Sequence, residues 1–196
     1  MRKKKFINFT IAVFLVFGLV LIFGKREWFP DFYNPHFMGI ASFMSALAVI
    51  LPKFIFRSKD FKKQEAVLNL QAIFSAALLL NGTGSLGLYK LYLVGFEYDK
   101  AVHFLVPFFL FIAITNFAGD WYGLNSQKIL VFSGIFILIG GFIWEFLEAI
   151  ADIFLKTQTM GFYGQEIIKD TIVDNVFNFL GIIAGFCFQF FKKRAV

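Results

Sequence analysis

Six runs of about twenty apolar residues follow one another along this chain of 196 residues, at about 6–24, 37–56, 66–88, 101–118, 128–154 and 170–191. No other feature narrows the possible folds so far. A helix of about twenty residues crosses the roughly 30 Å hydrocarbon layer of a bilayer. Lipid supplies no partner for a backbone N–H or C=O, so each run must satisfy its own by becoming a helix. The expectation is an all-α, polytopic integral membrane protein, a single transmembrane domain over 1–196. Composition agrees: 59% of the residues are hydrophobic and mean hydropathy is +0.72, against roughly 45–50% apolar residues in a soluble domain. The basic start, Met1–Lys5, leads into an apolar run that ends at Lys25-Arg26-Glu27-Trp28 without a small-residue cleavage site. It reads as an uncleaved signal anchor.

The charges orient the spans. With the N-terminus in the cytoplasm, thirteen of the 19 Lys and Arg fall on inner segments and six on outer ones. That satisfies the positive-inside rule, and an even number of spans returns the C-terminus to the same side. The net charge of +6 then marks cytoplasmic loops, so nucleic acid is excluded as a partner and membrane lipid is expected. The setting is the cell membrane of a bacterium or archaeon. Cys187 has no second cysteine to pair with and reads as a lipid-facing or packed apolar residue.

Polar residues inside these runs are few and ordered. Glu145, Glu148 and Asp152 follow i, i+3, i+7; Asp170, Asp174 and Asn178 follow i, i+4, i+8; Asp99 and His103 follow i, i+4. At 100° per residue each set occupies one helix face. A carboxylate near the centre of a bilayer costs about 2.5–3.5 kcal/mol on insertion scales, so such files need partners. In the N-in, C-in topology, spans four and six start outside and span five ends outside. All three sets then reach one outer depth and describe a polar cavity within the region 98–185. Carboxylates with an imidazole suit a hard divalent cation, Mg²⁺, Mn²⁺ or Zn²⁺; alternatively, His103 and a carboxyl form an acid–base pair. Simpler readings stand beside these. Asp170 and Asp99 suit helix caps, Asp152 suits the headgroup layer, and Trp144 suits packing. Asn81-Gly82-Thr83-Gly84-Ser85 suits either close helix packing or a cavity wall. Gly181 and Gly185 lie on the acidic side of span six and suit a helix–helix contact.

The ordered set Asp99-Lys100-x-x-His103, Glu145 and Glu148, then Asp170, Asp174, Asn178 and Gly181 resembles the VanZ-like membrane proteins, most of all the YjdF-type inner-membrane proteins. The similarity covers about 99–185. Where relatives often carry Gly-Asp, this chain has Gly164-Gln165, followed by Glu166. The resemblance implies a role in processing lipid or polyprenol phosphate headgroups at the outer membrane interface.

On that reading the protein is a membrane-embedded headgroup hydrolase or transferase. His103 is general base or nucleophile, Asp99 orients it, and Glu145, Glu148 and Asp174 bind a divalent metal or carry protons. Asp170, Asn178 and Lys100 contact the substrate. Two other readings use the same residues: a non-enzymatic membrane factor with a structural buried polar network, and a small transporter. Against transport, no polar residues are expected in the inner halves of spans four to six, and the chain shows no inverted repeat.

Overall fold

A computed structural model describes residues 2–29, 34–123, 126–155 and 167–194. Six long helices carry the chain: α1 (Arg2–Phe23), α2 (Pro35–Ile55), α3 (Phe61–Ser85), α4 (Tyr98–Tyr122), α5 (Ser126–Leu155) and α6 (Ile167–Arg194). All six are long and apolar enough to cross a membrane. Among the described residues there is no strand, only short 3-10 turns at Arg26–Trp28 and Leu88–Val94. Part of the loop before α2 and the whole loop from 156 to 166, with Gly164, Gln165 and Glu166, lie outside the described residues.

Local chemistry sets the helix ends. The Asn34 side chain accepts the Phe37 N–H at 3.1 Å, and Pro35 supplies a first residue that needs no N–H partner. Asp60 accepts the N–H groups of Lys62 and Lys63 and so starts α3. That helix ends at Ser85, short of the expected Leu88, because Gly87 takes φ 127°, a conformation open to glycine. The 3-10 turn Leu88–Val94 follows at once and lies against both α3 and α4.

The helices associate as two groups of three. In the first, α1 and α2 approach through Gly18 and Gly39: a Cβ on Gly39 would stand 2.6 Å from Ile22. Gln71 of α3 donates to the Val49 carbonyl of α2 at 2.8 Å while buried from solvent. In the second, α4 and α6 run side by side in the same direction, and α5 returns antiparallel against both. The register follows from successive contacts: Lys100 on Asp174, His103 on Asn178, Gly181 on Phe104, Gly185 on Phe111, Gln189 on Ile112. Gly181 permits the close approach, since a Cβ there would lie 2.2 Å from the Phe104 carbonyl oxygen. The groups join where α3 meets α4, in a core of Ala66, Val67, Leu70, Ala113 and Phe117. A second core of Phe111, Leu130, Ile137 and Ile182 holds α4, α5 and α6 together.

The apolar surface left over faces outward. On α5, Phe132, Phe136, Phe142 and Phe146 are all exposed, as suits side chains solvated by lipid tails. The opposite stripe, Ser133, Ile137, Gly141 and Glu145 at four-residue spacing, turns into the bundle. The same stripe that packs the core therefore delivers Glu145 to its interior.

Candidate functional site

The first turns of α4 and α6 and the second half of α5 meet at one end of the bundle, the end where α3 finishes. Lys100 is the hub. Its ammonium bonds Asp170, lies 2.6 Å from Asp174 Oδ1 and 3.2 Å from Asp99 Oδ2, and is buried. Three ammonium N–H groups thus meet three carboxylates from α4 and α6. A charge taken out of water is tolerated only with such complete pairing.

His103 stands one turn deeper. Its Nε2 is 3.4 Å from Asp99 Oδ1 and 3.8 Å from Asp174 Oδ1. Its Nδ1 is 3.3 Å from Asn178 Oδ1 and 3.7 Å from Glu145 Oε1. Pro107, four residues on, has no N–H to give the His103 carbonyl. Asn178 fits between α5 and α6 because Gly141 opposite has no side chain; a Cβ there would be 3.4 Å from the Asn178 amide nitrogen. Glu145 is 6% exposed, and among the described residues its Oε1 has no hydrogen-bond partner.

Seven of the residues singled out in the sequence therefore join one connected polar network: Asp99, Lys100, His103, Glu145, Asp170, Asp174 and Asn178. Glu148 lies one turn beyond Glu145, half-buried. The set of three that approaches metal-ligand spacing is Asp99, His103 and Asp174, with one ligand atom each within 4.8 Å of one another. Glu145 and Glu148 are not in it. The Asp152 side chain lies outside the described residues.

Other groups enter from α3 and the turn after it. Tyr98 donates to the Leu80 carbonyl at 2.8 Å and shares a hydrogen bond with Thr83. Tyr89 donates to Asn81 and stacks edge-on to Tyr98 at 5.7 Å. Gly84 leaves room for the Tyr89 ring. The small polar cluster of span three thus serves as packing surface and hydrogen-bond partner at once. Burial first, then the charges of Asp99 and Glu148, push the Tyr89 phenol well above its ordinary range. No spacing rule marked Tyr89; its only signal was an aromatic residue after a Gly-rich helix end.

The far half of the α4–α6 group is not free of polar residues, contrary to expectation. Gln189 is 1% exposed and donates to the Ile112 carbonyl and to Asn116 Oδ1 at 3.1 Å; Thr115 and Ser133 are buried nearby in sequence to the Phe111 core. Asn116 and Gln189 were visible in the sequence, but single amides in apolar runs carry no periodicity. Phe111, Ile137 and Ile182 lie between these groups and the His103 layer.

Six apolar helices, the last three joined by paired charges at one end, define a multi-pass membrane protein. The chain belongs to the family described as "Predicted membrane protein (DUF2238)", whose sequence model matches residues 6–194. No curated protein and no solved structure matches it.

Proposed function

We propose that the His103 layer is a membrane-embedded catalytic site acting on phosphate-linked lipid headgroups, by hydrolysis or exchange. One observation carries this reading: Glu145 Oε1 is buried without a hydrogen bond from any described residue, 3.7 Å from the His103 ring. An orphaned buried oxygen costs about 1–3 kcal/mol, and of those among the described residues, on Thr115, Ser133, Asn175 and Glu145, only the Glu145 oxygen belongs to an ionisable group. An unsatisfied carboxyl beside an imidazole is what a site awaiting a reactant presents. The motif likeness to VanZ-like and YjdF-type proteins supports the choice of headgroup.

In this reading the oxygen of water or of an acceptor alcohol attacks phosphorus while Glu145 or His103 takes its proton. The scissile P–O bond breaks and its oxygen receives a proton from the same pair. Asp99 orients His103, and Glu148 carries protons toward Glu145. Lys100, Asp170 and Asn178 receive the headgroup; a phosphate oxygen would displace one of the carboxylates now on the Lys100 ammonium. The site sits on the outer side of an N-in, C-in protein in the cell membrane. Transport is the weaker alternative, because the apolar Phe111 core interrupts the polar residues along α4–α6.

The test is phosphate release from a polyprenyl diphosphate and from phosphatidic acid in detergent, measured beside thermal unfolding. His103→Gln should lower turnover by roughly 10²–10⁴-fold and change stability far less. Equal loss of both, or a parent that turns over neither lipid, supports the structural reading instead.

A further inference from the structure

The end of the bundle where α3 starts also holds the start of α1 and the ends of α2 and α4. Lys3 of α1 bonds Glu65 of α3 and lies 2.5 Å from Asn69 Oδ1. The Lys62 ammonium is 3.1 Å from Asp120 Oδ1 of α4. Asp60 accepts the N–H groups of Lys62 and Lys63. Over residues 2–5, 53–65 and 120, nine Lys and Arg stand against three carboxylates, Asp60, Glu65 and Asp120. Each of the three is already engaged. Arg2, Lys4, Lys5, Lys53 and Lys59 are exposed, and the surplus charge is theirs.

A surplus alone marks one side of a membrane; here it borders a cleft. Arg2, Lys3 and Lys4 line the cleft from α1, and Phe61, Gln64 and Leu68 line it from α3. Glu65 lies there too, its charge offset by Lys3. Three consecutive cations repel one another, and an anion between the helices relieves them. Phe61 is 80% exposed, an apolar ring among charges. Leu68 lies about two turns further into the span. The same end carries rings of the kind that sit at headgroup level. The Arg57 guanidinium is 5.5 Å from the Phe54 ring centroid, and the Lys63 ammonium is 5.3 Å from that of Trp121.

We propose that this cleft binds an anionic phospholipid from the leaflet at this end of the bundle. Arg2 and Lys4 take the phosphate, and Phe61 and Leu68 take the glycerol and the upper acyl carbons. Basic pockets between spans recognise acidic headgroups in this way. A soluble anion would use the cations but gain nothing from Phe61 and Leu68, so the cleft fits a lipid. The bound lipid would bridge α1 and α3 beside the Lys3–Glu65 pair. The site lies at the opposite end of the bundle from His103, and it stands whether or not the His103 site is catalytic.

The test uses the full chain in neutral detergent with equal amounts of phosphatidylglycerol and phosphatidylcholine, read by native mass spectrometry. Expected is one phosphatidylglycerol retained in preference to phosphatidylcholine, with an upward shift in unfolding temperature. Arg2→Gln and Lys4→Gln should each weaken retention roughly fivefold, about the effect of one basic residue at a membrane surface. Phe61→Ser should weaken it as well. Lys192→Gln, exposed at the end of α6, should not. These side chains are exposed, so each variant should unfold like the parent in detergent alone and lose only the shift that the lipid gives. Equal retention of both lipids by the parent would overturn the site. An equal effect of Lys192→Gln would show that charge acts without the cleft, and displacement of the lipid by equimolar glycerol 3-phosphate would show a site for a soluble phosphate; either overturns the proposal.

Discussion

Lys100 Nζ lies 2.6 Å from Asp174 Oδ1, 74 residues further along the chain. That pair, with Asp170 beside it, ties the first turn of α4 to the first turns of α6. Removing the cation leaves two buried carboxylates against each other. Lys100→Met should therefore cost about 3–5 kcal/mol, the usual price of breaking a buried pair. Adding Asp170→Asn and Asp174→Asn should restore much of it. Unfolding in mixed detergent micelles measures both; a Lys100→Met protein as stable as the parent would show that the ammonium is not the tie.

Gly181 is the closest point of the α4–α6 contact. A methyl group at 181 would meet the Phe104 carbonyl oxygen at 2.2 Å, so Gly181→Ala should destabilise by about 1–3 kcal/mol through overpacking. Gly140 has nothing within 4 Å of a built Cβ and lies mid-helix. Gly140→Ala should be neutral or stabilising by about 0.5–1 kcal/mol. Similar effects at both positions would deny the packing role of Gly181.

Tyr89 offers a pH test outside the spans. Its phenol is held above the ordinary value of about 10 by burial and then by nearby carboxylates. The unfolded chain therefore loses this proton first. Below about pH 10 neither state has lost it, and Tyr89 contributes no slope; above that, stability falls as pH rises. Tyr89→Phe should flatten the fall between about pH 10 and 12. An unchanged slope in Tyr89→Phe would mean that the phenol ionises equally in both states.

The orientation proposed from the charges is open to labelling. In a Cys187→Ser background, Lys59→Cys before α3 should react only from the cytoplasmic side. Leu93→Cys, in the exposed turn after α3, should react only from outside. The reverse pattern would invert the site's orientation in the membrane.

The helices were legible because lipid leaves an apolar run of twenty residues little choice. The acidic files were legible because helical periodicity places i, i+4 and i+7 on one face, and the bundle does turn Glu145, Asp170 and Asp174 inward. Periodicity says which face a residue occupies but not which neighbour it meets. Lys100 was visible beside Asp99, but its Asp170 and Asp174 partners, 70 and 74 residues away, were not. Which groups approach Asp99 and His103 likewise depends on how α5 and α6 stand against α4: one Asp174 oxygen comes within 4.8 Å of theirs. Tyr89 and Gln189 were illegible for a plainer reason: each is a single residue without a pattern.

The parallel course of α4 and α6 has a consequence for biogenesis. Synthesis delivers Asp99, Lys100 and His103 to the membrane well before the helix that completes their surroundings. A nascent chain that has emerged only as far as α5 holds Lys100 with Asp99 alone, since Asp170 and Asp174 are still to come. The last helix is thus the keystone: until it docks, the earlier charges must stay near water at the interface.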